Sequence, residues 1–314
     1  MHILTPDIFS DSTLQELFNY ASEFESGAVD KVAKDRIMAT LFLEPSTRTR
    51  LSFESAMLRL GGSVISCSDA NGSSCTKGET DYDSILTVHT YADVVVVRTP
   101  NDWPDLNVRT PANYPTSHVD IINAGDGGNH HPTQALTDAY TIWKKFGRLD
   151  NLSIGIAGDL KKSRTIHSFV ELMSRYENNY IFLLDTTDGG QALTNPPKSS
   201  LYYNTPTLEH FSPKCSHLYC NTSTFYEYFP EMNVVYTNRI QQERHDGQVD
   251  GVNFRLSENL LNRLPPEDAI VMNPGPRRDE LPAELDVDPK VVFFQQARNG
   301  MFARMALLKW LFRS

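Results

Sequence analysis

Two kinds of hydrophobic pattern alternate along this chain. Compact strand-like runs stand at residues 37–43, 63–67, 94–98, 119–123, 152–157, 180–184, 233–236 and 269–272. Their length and β-branched content predict buried strands. Between them, apolar residues recur every three or four positions. Leu14, Leu17, Phe18 and Ala21 predict an amphipathic helix entered through Asp11-Ser12-Thr13, and residues 51–60 and 84–92 predict two more. Pro132 stands as the first residue of a helix carrying Leu136, Ala139, Tyr140 and Trp143, which Gly147 ends. Ile166, Phe169, Val170 and Met173 mark another, and a last helix near 295–312 places Met301, Met305, Leu308 and Phe312 on one face.

Strands alternating with helices imply parallel sheets covered on both faces, an α/β fold. The pattern restarts near residue 150, and 314 residues suffice for two cores. The expectation is two doubly wound parallel-sheet domains linked by the helix around 132–146. Residues 186–229, rich in Ser, Thr, Asn, Pro and Tyr, carry poor periodicity and predict loops with short helices.

Charge and composition narrow the function. A formal net charge of −10 argues against general affinity for nucleic acid or anionic lipid. The longest apolar runs, such as residues 94–97, are too short to span a membrane. The start, Met1-His-Ile-Leu-Thr-Pro6, lacks the basic and apolar regions of a secretory signal. Cys67, Cys75, Cys215 and Cys220 form no pair of CxxC motifs and read as reduced thiols, so a cytoplasmic protein without a structural metal is expected.

The candidate chemistry sits at strand ends, where open parallel sheets bind ligands. After the first strand comes Glu44-Pro-Ser-Thr-Arg-Thr-Arg50, a hydroxyl- and arginine-rich turn that opens a helix. Unpaired N–H groups and the helix dipole make such a place an anion site. A polar cap beside solvated arginines reads as well from this run alone. Arg98 ends the third strand, and His131 and Gln134, in His131-Pro-Thr-Gln134, open the linking helix. Arg164 lies in Gly158-Asp-Leu-Lys-Lys-Ser-Arg-Thr165, Arg239 and Gln241 in Asn238-Arg-Ile-Gln-Gln-Glu-Arg244, and Asn273-Pro-Gly-Pro-Arg277 follows the last strand. Six such clusters at equivalent strand ends are hard to reconcile with chance.

Taken in order, these motifs and the segment Phe294-Gln-Gln-Ala-Arg-Asn-Gly-Met-Phe-Ala-Arg-Met-Ala-Leu-Leu308 resemble the catalytic chains of the aspartate transcarbamoylase family. The likeness covers nearly the whole sequence and is weakest across 186–229. Ser-Thr-Arg-Thr alone indicates only a carbamoyltransferase; the Arg-x-Gln-x-Glu-Arg block and the Pro-x-Pro-Arg turn point to the aspartate branch. The resemblance implies a carbamoyl-phosphate domain (1–131 with 293–314, the last helix returning to it) and an aspartate domain (132–292). It implies transfer of a carbamoyl group from carbamoyl phosphate to L-aspartate, with no cofactor or metal, by a homotrimer whose active sites lie between subunits. Carbamoyl phosphate would meet Ser46, Thr47, Arg48, Thr49, Arg98, His131 and Gln134, with the carbonyls near Gly275 and Pro276 taking its NH2. Arg48, Thr49, Lys77, Arg98 and His131 would serve catalysis. Arg164, Arg239, Gln241 and Lys77 would hold aspartate, and Ser73 and Lys77 would reach in from a neighbouring subunit. Regulatory or dihydroorotase-like chains are compatible partners.

The chain departs from the family pattern at Asn273, where His is usual, and at Ser163, where Gly is common. Neither removes a charged contact, but Asn273 touches the turn facing the acceptor. Two other readings stay open: a carbamoyltransferase for another amino acid such as ornithine, though the His-Cys-Leu-Pro turn of those enzymes is absent, and a non-catalytic scaffold.

Overall fold

The computed structural model describes residues 2–67, 78–101, 120–187, 215–247, 249, 251 and 254–313. It divides into two compact units, Met1–Thr137 with Arg298–Ser314, and Asp138–Ala297.

In the first unit, α1 (Asp11–Glu25) begins one residue before the sequence signal suggests, because Ser10 Oγ accepts the Thr13 N–H at 3.1 Å. Then follow β1 (Ile37–Phe42), α2 (Thr47–Arg59), β2 (Ser63–Cys67), α3 (Asp81–His89), β3 (Val94–Thr99) and β4 (Asp120–Asp126). The strands form a parallel sheet in the order β2-β1-β3-β4. Val94–Val97 are wholly buried, as a central parallel strand requires, and Ala39, Leu41, Val95, Val97, Ile85 and Ile121 share one core. Chain order reverses between β1 and β3, so their carboxyl ends flank the crevice in which such sheets bind ligands.

A linking helix, α4 (Pro132–Phe146), leads to the second unit. It contains β5 (Ser153–Gly158), α5 (Arg164–Met173), β6 (Asn179–Asp185), β7 (Cys215–Tyr219), α6 (Thr222–Tyr228), β8 (Val234–Thr237), α7 (Glu258–Leu261) and β9 (Ile270–Met272). Its parallel sheet runs β7-β6-β5-β8-β9, reversing at β5 and β8. Strand β7 corrects the expectation of loops and short helices across 186–229, whereas the seven-residue α6 is one of the short helices expected. β7 is a half-exposed edge strand of Cys, Ser, His, Leu and Tyr and carries no apolar run. The core gathers Phe225, Phe229, Phe254, Val235 and Val271, and Phe169 stacks on Tyr236 with ring centroids 4.6 Å apart.

The final helix, α8 (Phe293–Arg313), returns to the first unit, as expected. Ser55 Oγ donates to Met301 Sδ at 3.4 Å, Arg304 lies 5.1 Å over the Phe53 ring, and the buried Lys309 pairs with Asp30 at 3.1 Å. Among the described residues no helix is long and apolar enough to cross a membrane.

A buried polar chain organises the second unit. Asp138, fully buried in α4, accepts from Tyr236 Oη at 2.9 Å and from Gln296 Nε2 at 2.6 Å. Gln296 Oε1 in turn accepts the Asn273 N–H at 2.9 Å. Burial and the Asp138 carboxylate push the Tyr236 phenol well above its ordinary pKa, so it stays protonated and donates. Asp138→Ala orphans two buried donors and is expected to cost about 3 kcal/mol, read as a lower urea midpoint. Asp138→Asn, which keeps an acceptor oxygen, should lose less.

Candidate active site

The first half of the site begins where β1 ends. The Leu43 N–H donates to Arg98 O at 2.8 Å, so the turn after β1 is tied to the end of β3. Ser46 holds the N-cap position of α2, yet its side chain makes no cap hydrogen bond, and the first turn carries no acidic residue. The caps of α1, α3, α5 and α6 all close on their own helix through Ser10, Thr80, Ser163 and Asn221. The start of α2 therefore keeps its positive end and its hydroxyls for an external acceptor. Thr49 is buried, while Thr47 and Arg48 are exposed.

Arg98 is half-buried. Its Nε lies 2.7 Å from Glu44 Oε1, and its Nη1 donates to Ala124 O at 3.5 Å. The β3–β4 register shifts here, Val97 facing Asn123 but Thr99 facing Asp126. The extra residue falls on β4 at Ala124-Gly125, and Gly125 takes φ 117°, a conformation that suits glycine. This irregularity turns a carbonyl toward the Arg98 guanidinium. His131 is buried just before α4, and its carbonyl accepts from Gln134 N at 2.9 Å and Ala135 N at 3.2 Å. The adjoining turn is held by Asp126, whose Oδ1 accepts from His130 N at 3.0 Å and Asn123 Nδ2 at 2.8 Å. Ser46, Thr47, Arg48, Thr49, Arg98, His131 and Gln134 thus belong to the first unit, grouped around the ends of β1, β3 and β4. Ser73 and Lys77 lie outside the described residues.

The second half is built on β5, β8 and β9. Ser163 caps α5 by accepting the Ile166 N–H at 3.4 Å, so the departure from Gly has a helix-starting role. Arg164, the first residue of α5, is buried. Thr165 Oγ1 accepts from Asn238 Nδ2 at 2.9 Å, and Asn238 Oδ1 accepts from Gln241 Nε2 at 3.0 Å, which joins the α5 start to the loop after β8. Arg239 grips Glu243 through both terminal nitrogens, Nη1 to Oε2 at 2.9 Å and Nη2 to Oε1 at 2.5 Å. The Arg239 guanidinium draws the Glu243 carboxyl down to about 2. A depressed carboxyl contributes stability above its ordinary pKa and loses it as pH falls toward 2, so this pair is intact at neutral pH. Glu243 is about half exposed and the pair adds little to folding; its interest is geometric, since Arg239 presents a fork sized for a carboxylate.

Asn273, which stands where His was expected, is a buried junction. Its Nδ2 donates to Thr237 Oγ1 at 3.0 Å and Glu280 Oε1 at 3.1 Å, and its Oδ1 accepts the Gly275 N–H at 2.7 Å. An amide can donate twice and accept at once, so Asn fits this place. It fixes the turn Pro274-Gly275-Pro276, whose Gly275–Pro276 bond is cis. Arg277 leaves the turn to pair with both oxygens of Asp286 and to stack 4.5 Å over Phe293.

Beside Arg239 lies a cavity of about 170 Å³ lined by Thr186, Gln242, Phe254, Arg278 and Glu280 among others. Sequence reasoning gave these residues no role. Nor did it assign Glu243, although the Arg-x-Gln-x-Glu spacing contained it. Thr186, Phe254 and Glu280 come to Arg239 from distant parts of the chain, which a linear reading does not order, whereas Glu243 stands only four residues from its partner.

Residues 1–144 match the model of the aspartate/ornithine carbamoyltransferase carbamoyl-P binding domain, and residues 150–311 that of the Asp/Orn binding domain. The chain is 38% identical over 312 residues to the aspartate carbamoyltransferase catalytic subunit of Finegoldia magna, covering 98% of this chain and 96% of the relative. It is 41% identical over 313 residues to that of Clostridium botulinum strain Okra, with the same coverage. Among solved structures, the aspartate transcarbamoylase of Trypanosoma cruzi in complex with carbamoyl phosphate and aspartate aligns with TM-score 0.82 and 34% identity, covering 98% of this chain and 95% of that one. The catalytic subunit from M. jannaschii aligns with TM-score 0.79 and 34% identity, covering 99% and 98%. Matched over residues 1–144 and 150–311 by the two domain models, with an arginine fork, a glutamine and a Pro-x-Pro-Arg turn at the carboxyl ends of its second sheet, the chain belongs to the aspartate/ornithine carbamoyltransferase family, on its aspartate carbamoyltransferase branch.

Proposed function

We infer that this chain transfers the carbamoyl group of carbamoyl phosphate to the amine of L-aspartate, giving N-carbamoyl-L-aspartate and phosphate. The observation that carries the reading is the start of α2, a hydroxyl-rich helix end with no side-chain cap and no acid in its first turn. A phosphate dianion suits such a place. For the acceptor, support comes from Arg239, whose fork already engages a carboxylate, and from the relatives named above, which are aspartate enzymes.

In this reading Ser46, Thr47 and Arg48 hold the phosphate. Thr49, Arg98 and His131 face the carbonyl oxygen as attack builds negative charge on it. Gln134 and the carbonyls near Gly275 and Pro276 take the carbamoyl NH2. Arg98 exchanges Glu44 for substrate on binding. The two carboxylates of aspartate go to Arg164 and Arg239, with Gln241 in support, and in doing so displace Glu243. The amine attacks the carbonyl carbon, the C–O bond to phosphate breaks, and the departing phosphate takes the amine proton. No side-chain nucleophile is needed, and positioning supplies much of the rate. The first unit serves carbamoyl phosphate and the second aspartate. Ser73 and Lys77 come from a neighbouring copy in a cytoplasmic homotrimer, a proposal that rests on the motif Ser73-Ser-Cys-Thr-Lys-Gly-Glu79 and its family likeness.

The test is a steady-state assay of purified protein with carbamoyl phosphate and a panel of amino acids. Turnover with L-aspartate well above ornithine and asparagine is expected. Preference for ornithine would overturn the acceptor assignment, and no turnover with any acceptor would favour a scaffold. Mass photometry checks the trimer, since an active monomer excludes a site completed by Lys77 of a second copy.

A further inference from the structure

One buried carboxylate organises the acceptor half, and among the described residues a single side chain, that of His245, meets it. Asp159, at the end of β5, is fully buried. Its Oδ1 accepts from Lys161 N at 3.2 Å and Lys162 N at 3.0 Å. Its Oδ2 accepts from Gln241 N at 2.9 Å and lies 2.7 Å from His245 Nε2. Asp159 thereby ties the turn that leads into Arg164 to the loop that carries Arg239 and Gln241. Because the Gln241 N–H and the His245 ring end on the same oxygen, the segment between them is closed on Asp159 at both ends. Arg244 Nη1 adds a bond from that segment to Lys162 O at 3.3 Å.

Three of the four donors on Asp159 are backbone N–H groups, placed by the path of the chain. His245 is different. Its ring is mostly buried, 13% exposed, and reaches back across the loop to satisfy the remaining capacity of the anion. Without it, Asp159 Oδ2 would keep a single donor in a buried place, and the loop would lose its second anchor.

We propose that His245 is a positioning residue for acceptor binding, acting through Asp159 to hold the Arg239–Gln241 loop in the geometry that receives a carboxylate. This rests on the assignment of Arg239 and Gln241 to the acceptor. His245 itself contacts no substrate in this account. Its loss should weaken acceptor binding and leave the donor site alone.

The test compares His245→Ala and His245→Gln in the full-length protein, Gln keeping a donor at a reach close to that of Nε2. Loss of one charge-assisted hydrogen bond predicts that His245→Ala raises the KM for L-aspartate about tenfold. The KM for carbamoyl phosphate should stay constant and kcat should fall less than about twofold, because the effect is on binding and not on the reacting atoms. His245→Gln should return the aspartate KM to within about threefold of wild type, as a neutral bond replaces a stronger one. Succinate, a dicarboxylate without the reacting amine, should show the same ranking as an inhibitor. An unchanged aspartate KM in His245→Ala overturns the proposal, as does an equal loss in both variants or a parallel rise in the carbamoyl phosphate KM. If the alanine variant does not fold, His245→Leu, which fills the space of the ring without a donor, takes its place: a raised aspartate KM that His245→Gln restores supports the role, and equal KM values in the two variants sink it. Wild-type protein that does not turn over aspartate overturns the acceptor assignment itself, a result distinct from any outcome with the variants.

Discussion

Replacing Arg48 with alanine is expected to lower kcat about a thousandfold, close to 4 kcal/mol of transition-state stabilisation, while leaving the fold intact. The side chain is exposed at the uncapped start of α2 and is not one of the buried residues of the core. In the proposed mechanism it receives the phosphate as the C–O bond breaks, so charge moves toward it in the transition state and the loss falls on kcat more than on KM. Arg48→Lys should recover only a small part, because a point charge cannot match two phosphate oxygens with a planar fork. Steady-state rates at saturating aspartate, alongside a thermal melt, decide the matter. A variant with near-normal kcat would show that the start of α2 is not the phosphate site.

The second large effect concerns the acceptor. Arg239→Ala should raise the KM for L-aspartate about 100-fold, as removal of a charged hydrogen-bond pair to a carboxylate costs about 2.7 kcal/mol. The melting temperature should change little, since the partner it leaves behind, Glu243, is about half exposed and can be solvated. The KM for carbamoyl phosphate should be unaffected. Titration of the variant with aspartate at fixed carbamoyl phosphate measures this, and an unchanged KM would place the acceptor carboxylate elsewhere. Because Glu243 occupies the fork in the structure, its neutral counterpart Glu243→Gln is the natural control for competition between the internal carboxylate and the substrate.

Much of this arrangement could be read from the chain alone, for a physical reason. Central parallel strands are buried on both faces, so Val94–Val97 and the neighbouring runs stand out as apolar blocks. Polar clusters just after such blocks mark the sheet's carboxyl edge, which is how Arg98, Arg164, Arg239 and the turn at Pro274 were found. Edge strand β7 escaped notice because only half of it is covered. The partners of the arginines escaped for another reason. Glu44 meets Arg98 only because β1 lies beside β3, and Asp159 meets Gln241 and His245 only because β5 lies beside β8. Strand order is a property of the fold and leaves no local mark on sequence. Ser163 and Asn273 teach a related lesson. Read against a family pattern they are departures, whereas in place one starts a helix and the other holds a turn.

The return of α8 to the first unit has a consequence for how the molecule is made. Residues 138–297 are contiguous, whereas residues 298–314 complete a unit that began at the other end of the chain. During synthesis the second unit is therefore fully translated before the first. Until the last turns of α8 leave the ribosome, Phe53 lacks the Arg304 guanidinium above it and Asp30 lacks Lys309. Apolar positions such as Ala306, Leu307 and Leu308, buried in the folded protein, reach the first unit only after all of residues 138–297 have been made. A nascent chain stopped short of them carries the anion cradle without the helix that backs it.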